Sequence, residues 1–65
     1  MRTTVLTIIH SPGYEDWCML NMVDISEKTA YRLKWELIKA GATREVVEDS
    51  SDPHGDYREY ITLRG

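Results

Sequence analysis

A single stretch, residues 24–42, carries the periodicity of an amphipathic helix, and this stretch constrains the fold most. Apolar residues recur there at spacings of three and four. Asp24 or Ser26 can cap the start, and Gly41 can take the left-handed position after the last turn. The pattern predicts a helix over 26–40 with a core stripe of Ala30, Leu33, Leu37 and Ile38. Since the chain has 65 residues, this one helix can cover only one face of a sheet.

The segments on either side of the helix have the character of strands. Four are predicted: 3–10 and 43–49 by their β-branched residues, 17–23 as a short apolar run, and 57–64 by alternation. Turns are predicted at 11–16 and 50–56, where Pro and Gly occur. The predicted fold class is α+β in the order β-β-α-β-β, a four-stranded antiparallel sheet with one helix on one face. No linker divides the chain, so residues 1–65 are expected to form a single domain.

Alternation divides the predicted strands into two faces. In the last strand Tyr57, Glu59, Ile61 and Leu63 point one way. The residues expected to meet the helix are Leu6, Ile8, Cys18, Leu20, Met22, Ile61 and Leu63. The residues expected on the opposite face, which nothing in the predicted fold covers, are Val5, Thr7, Ile9, Trp17, Met19, Asn21, Arg58, Tyr60, Thr62 and Arg64.

About half of that uncovered face is apolar, which is more than an open antiparallel face usually shows. Three interpretations are open at this point. Loops and termini could bury part of it, it could be a dimer or partner surface, or its Trp and Tyr could stack on nucleic-acid bases.

The charges are unevenly distributed along the chain. Residues 1–44 contain five acids and six bases, whereas residues 45–65 contain six acids and two bases. Binding of duplex nucleic acid requires a clustered basic face. The four basic residues of the predicted helix are only a weak candidate for such a face. The acids of the second hairpin are either solvated loop residues or a surface that steers the chain toward a basic partner.

The sequence contains no motif of a known catalytic or cofactor site, whether a phosphate loop, a nucleophile elbow or a zinc-binding helix. The lone Cys18 cannot form an internal disulfide and is expected in the core, so a nucleophile pair with His10 is disfavoured. His54 lies between Asp52 and Asp56, a pattern that turn chemistry explains without a metal. We therefore expect no enzyme activity, no cofactor and no metal. The apolar run near the N-terminus is short, so a cytoplasmic location without membrane contact is expected.

Small size, acidity and the lack of catalytic motifs are typical of accessory proteins carried by bacteriophages and mobile elements. We therefore expect a non-enzymatic protein-binding module, an inhibitor or modulator that acts by steric or electrostatic blockade. The alternative is a small nucleic-acid-binding protein that uses the open sheet face or the basic helix, and a third reading is a homodimer joined through the open face. Tyr31 and Trp35 lie four apart on the helix and fit either boundary packing or partner contact. The residues expected to contact a partner are Trp17, Met19, Trp35, Tyr60, Glu48, Asp49, Asp52 and Asp56.

Overall fold

The computed structural model describes residues 2–48 and 55–65. Within them lie β1 (Thr3–His10), β2 (Trp17–Leu20), β3 (Val23–Ile25), α1 (Glu27–Lys39), β4 (Thr43–Glu48) and β5 (Tyr57–Arg64). The strands form one sheet in the order β3-β2-β1-β5-β4, and every neighbouring pair is antiparallel. The α+β class with one helix and an antiparallel sheet is confirmed. The four-stranded prediction is wrong, because the sheet has five strands and the element order is β-β-β-α-β-β.

The additional strand arises from a tight turn inside the segment predicted as one strand. Asn21 and Met22 both have positive φ, 48° and 69°, and they join Leu20 to its cross-strand partner Val23. Positive φ at both central residues is the signature of a type I′ hairpin turn. The turn also moves Met22 out of the predicted core, and its side chain is 81% exposed.

Asn21 was predicted as a strand residue on the uncovered face of the sheet. It instead belongs to this turn and connects it to β1. Its side-chain Oδ1 accepts a hydrogen bond from the Val5 amide at 2.8 Å. Its own amide donates to the Val5 carbonyl oxygen at 2.9 Å. Asn21 therefore bonds to both backbone groups of Val5 just beyond the end of β2.

Both ends of the helix follow the signals in the sequence. Ser26 is the N-cap, and its Oγ accepts a hydrogen bond from the Thr29 amide at 3.2 Å. After the last turn Gly41 has a φ of 98°, and its amide bonds the Ile38 carbonyl while that of Ala42 bonds the Leu37 carbonyl. These two bonds make a Schellman motif, for which glycine is the favoured residue at the left-handed position.

The core lies between α1 and the centre of the sheet. The helix packs on β1, β2 and β5, whereas β4 at the sheet edge is exposed along its whole length. The buried residues at the centre are Leu6, Ile8, Cys18, Ala30 and Ile61, and those packed around them are Leu20, Ile25, Leu33, Leu37, Ile38 and Ala42. Nine of these eleven residues were predicted, including Cys18 at 2% exposure, whereas Ile25 and Ala42 were not, and the predicted core residue Leu63 is not among them.

Candidate functional site

The face of the sheet opposite α1 brings three of the predicted contact residues together. In β1, Thr7 is paired with Met19 on one side and Tyr60 on the other. Two residues further along β1, Ile9 is paired with Trp17 in β2 and with Arg58 in β5. Residues paired across a sheet share a face, so Trp17, Met19 and Tyr60 lie on one surface with Ile9. We call this surface the open face.

The open face has a dense centre and one strongly exposed aromatic ring. Thr7 is only 6% exposed, although no helix or strand in residues 2–48 and 55–65 packs over it. Trp17 is 56% exposed, and its indole Nε1 donates a hydrogen bond to Asp24 Oδ1 at 3.0 Å. The ring is thus fixed in place by its polar end while its apolar surface remains available.

Charged residues of both signs surround this patch. Asp24 is paired with Met19, and Glu45 is paired with Tyr60, so an acid stands at each end of the central row. Arg58 lies on the neighbouring row, paired with Ile9. An apolar centre within a polar rim is the usual anatomy of a protein–protein interface.

The other predicted contact residues lie elsewhere. Trp35 is 60% exposed but sits on α1, which covers the opposite face of the sheet. Glu48 ends β4, where it is paired with Tyr57 on the helix side, and Asp56 immediately precedes β5. Asp49 and Asp52, together with the turn around His54, lie outside the described residues.

A buried carboxylate, Glu59, forms a second cluster that the sequence analysis missed. Glu59 is 2% exposed and faces α1 from the middle of β5. Its Oε2 accepts from Lys34 Nζ at 2.7 Å and from Arg44 Nε, and its Oε1 lies 3.0 Å from His10 Nε2. The three basic groups come from α1, β4 and β1, so one side chain ties three elements to β5.

His10 extends the cluster to the loop before β2. Its Nδ1 lies 3.2 Å from Asp16 Oδ1, and the Tyr57 ring stacks on the imidazole with 4.5 Å between centroids. Asp16 Oδ2 accepts a hydrogen bond from the Tyr31 hydroxyl at 2.6 Å. The contacts therefore run from β5 through His10 and Asp16 to α1.

These contacts change the acidity of two groups. Burial alone would raise the pKa of Glu59, but hydrogen bonds from Lys34, Arg44 and His10 outweigh it and lower the pKa to about 2. The hydrogen bond to Asp16, helped by burial, raises the pKa of Tyr31. Both shifts reflect groups engaged with partners inside the fold, which fits a role in holding the elements together.

The predicted weakness of Cys18 as a nucleophile has a physical basis in the structure. Burial raises the pKa of its thiol, and the charges of Asp16 and Glu27 raise it further. A raised pKa disfavours the thiolate, which is the reactive form. Among the described residues, no group of three or more His, Cys, Asp or Glu side chains could hold a metal ion.

The one helix of the described ranges is too short and too polar to span a membrane. Comparisons with protein-family models, with curated proteins and with solved structures found nothing that matches this chain.

Proposed function

We propose that this chain is a non-enzymatic protein-binding module that docks through the open face of its sheet. One observation carries the proposal. Trp17, Met19, Ile9 and Tyr60 lie together on a face over which no helix or strand in residues 2–48 and 55–65 packs. Contiguous apolar surface of this kind, with a polar rim, is typical of interaction sites.

The fixed geometry of Trp17 favours this use. In a complex the indole N–H must keep a hydrogen bond, and here Asp24 already supplies it at 3.0 Å. That bond also favours one orientation of the ring. Any rotamer freedom that the bond removes in the free chain is not lost on binding, so more of the free energy of burying the ring is available for binding.

The charge of the second hairpin indicates a basic partner. Leaving out the buried Glu59, residues 45–65 carry five acids and two bases. Of these acids, Glu45 lies on the open face itself, and Glu48 and Asp56 lie at the end of the β4–β5 pair. An acidic surface beside an apolar patch speeds association with a positively charged protein, and this supports an inhibitor or modulator that blocks a basic surface.

The nucleic-acid alternative is less favoured by the same geometry. Asp24 and Glu45 stand at the two ends of the row through Met19 and Tyr60. A strand of nucleic acid laid across this row would bring its phosphates close to carboxylates, which opposes binding. Protein docking carries no such penalty.

Affinity capture with paired tryptophan variants tests the proposal. The chain offers a matched pair, since Trp17 and Trp35 are both more than half exposed and lie on opposite sides of the sheet. Each of three proteins would be immobilised on a resin and incubated with a lysate of the source organism: wild type, Trp17→Ala and Trp35→Ala. The bound proteins would then be quantified by mass spectrometry. We expect a protein that wild type and Trp35→Ala retain and that Trp17→Ala loses by about thirtyfold, the effect of a buried aromatic anchor.

Three results would contradict the proposal. Equal loss from both variants, or loss from Trp35→Ala alone, would move the interface away from the open face. Binding of labelled single-stranded oligonucleotides that weakens steeply with salt would favour the nucleic-acid function instead. Circular dichroism of each variant would check that the fold is intact.

A further inference from the structure

The β4 edge of the sheet differs from the opposite edge in length. The β3 edge has only three residues, and very short edge strands resist pairing with other strands. The β4 edge has six residues, all exposed, with Val46 and Val47 at 43% and 42% exposure. No proline, glycine or lysine interrupts it. It is therefore the edge with room for another strand.

We infer that β4 pairs antiparallel with β4 of a second copy of this chain, in the register that places Val46 opposite its own counterpart. The axis relating the two copies would be perpendicular to the sheet. This arrangement keeps each helix on the same side and extends the sheet from five strands to ten. The proposal concerns the edge of the sheet and does not depend on the open face.

The charges of β4 select a second copy as the occupant. With Val46 at the centre, Arg44 of each copy stands opposite Glu48 of the other, and Glu45 stands opposite Val47. Arg44, Val46 and Glu48 all lie on the helix side, since their partners in β5 are Ile61, Glu59 and Tyr57. Two opposite-charge pairs therefore flank a central pair of valines, each a stabilising cross-strand contact.

Arg44 can make this contact while keeping its place in the Glu59 cluster. It donates to Glu59 through Nε, and the guanidinium carries four further N–H donors. Its side chain is 49% exposed. A guanidinium that is fixed at one end and open at the other suits a second carboxylate across the edge.

The neighbouring registers lack this complementarity. Centring the pair on Glu45 places two glutamates opposite each other and leaves Arg44 against Val46. Centring it on Arg44 places two arginines together, and centring it on Val47 sets Val46 against Glu48. Like charges directly opposite are destabilising, so the Val46 register is preferred among the four.

Sedimentation equilibrium over a dilution series tests the association with a matched pair of variants. Val46→Lys places two lysines opposite each other at the centre, and we expect the dimer to weaken at least about tenfold. Val47→Thr changes the next residue, which has nearly the same exposure. We expect it to change the association little, because Thr keeps the β-branched shape of Val and position 47 belongs neither to the central valine pair nor to the two charge pairs.

Cross-linking tests the register. In Val46→Cys the Cα atoms of the two introduced cysteines lie about 5.5 Å apart, a separation that a disulfide can bridge. In the same register Glu45→Cys and Val47→Cys each lie roughly 8 Å from their counterparts, beyond that reach. We expect an oxidised covalent dimer from Val46→Cys alone. Wild type treated in the same way controls for Cys18, which is 2% exposed.

Several results would overturn the inference. A wild-type chain that stays monomeric at millimolar concentration has no such edge contact. A dimer that Val46→Lys leaves intact is joined elsewhere, and faster cross-linking of Glu45→Cys or Val47→Cys shows a different register. The outcome is separable from the proposed function, because none of these changes touches Trp17 and the Trp17→Ala capture experiment does not probe β4.

Discussion

Replacing Glu59 by Gln is the most informative single change for the stability of this fold. The substitution keeps the shape of the side chain and removes its charge. It leaves Lys34, Arg44 and His10 facing one another without the carboxylate that joins them. Because Glu59 is 2% exposed, water cannot take over this role without opening the contact between α1 and β5.

The pKa of Glu59 gives the size of the effect. Burial raises it, but hydrogen bonds from three basic side chains outweigh burial and lower it from 4.5 to about 2. Each tenfold change in proton affinity corresponds to about 1.4 kcal/mol, so ionised Glu59 contributes at most about 3.5 kcal/mol. Since Arg44 is half exposed, solvent screens part of this. We expect the substitution to cost about 2–3 kcal/mol near neutral pH, a large share of the stability of a domain this small.

The lowered pKa also sets the direction of the pH dependence. Between pH 4.5 and about 2 the unfolded chain binds a proton at Glu59 that the folded chain does not. The stabilisation is therefore complete above about pH 5 and is lost as the pH falls toward 2. The difference between wild type and Glu59→Gln should shrink to less than half its neutral value near pH 3.

Urea unfolding followed by tryptophan fluorescence, at pH values from about 7 to about 3, measures this difference. Glu45→Gln is the control, since Glu45 is exposed on β4, and we expect a change within about 0.5 kcal/mol. A cost for Glu59→Gln that is equally small at neutral pH, or that does not change with pH, would refute the reasoning. A carboxyl chemical-shift titration of wild type gives a direct check, with Glu59 still ionised at about pH 3.

Three further predictions follow from local geometry. Met22→Gly should stabilise the chain by about 1 kcal/mol in urea unfolding. Met22 has a φ of 69°, a backbone conformation that is strained for any residue with a side chain. Met22→Ala keeps this strain and should give no such gain. Ser26→Ala should destabilise it by about 1 kcal/mol through loss of the N-cap bond to Thr29, whereas Ser26→Asp should retain most of the stability. Cys18 should react with a thiol reagent much more slowly than a free thiol until urea opens the fold, since burial protects it and raises its pKa; fast labelling of the native chain would contradict its place in the core.

The parts of the fold that sequence predicts well are those specified by local signals. The helix limits followed from the apolar period together with Ser26 and Gly41, and β1 and β5 matched their predicted limits. The β2–β3 hairpin was not predicted because a type I′ turn is normally recognised in a sequence by a glycine at one of its central positions. Here Asn21 and Met22 occupy it within an apolar run.

The candidate sites divide in the same way. Alternation placed Trp17, Met19 and Tyr60 on one face correctly, because the direction of a side chain in a strand is a local property. Alternation also put Glu59 in the row facing the helix, and a carboxylate there is the one sign that a buried cluster exists. Its partners could not be identified, because His10, Lys34 and Arg44 are brought to it by the sheet order and the position of the helix.

The central position of β1 and β5 has a consequence for how the chain comes to be folded. These neighbours in the middle of the sheet are the first and last strands, pairing Thr3 with Arg64 and His10 with Tyr57. The β1–β2–β3–α1 segment alone lacks Ile61 and Glu59, so it can complete neither the core nor the charge cluster. We therefore expect folding to be completed only after β5 has been synthesised, because the pairing of β1 with β5 closes a long loop. We expect it to be slow for so small a chain, as topologies dominated by distant contacts generally are.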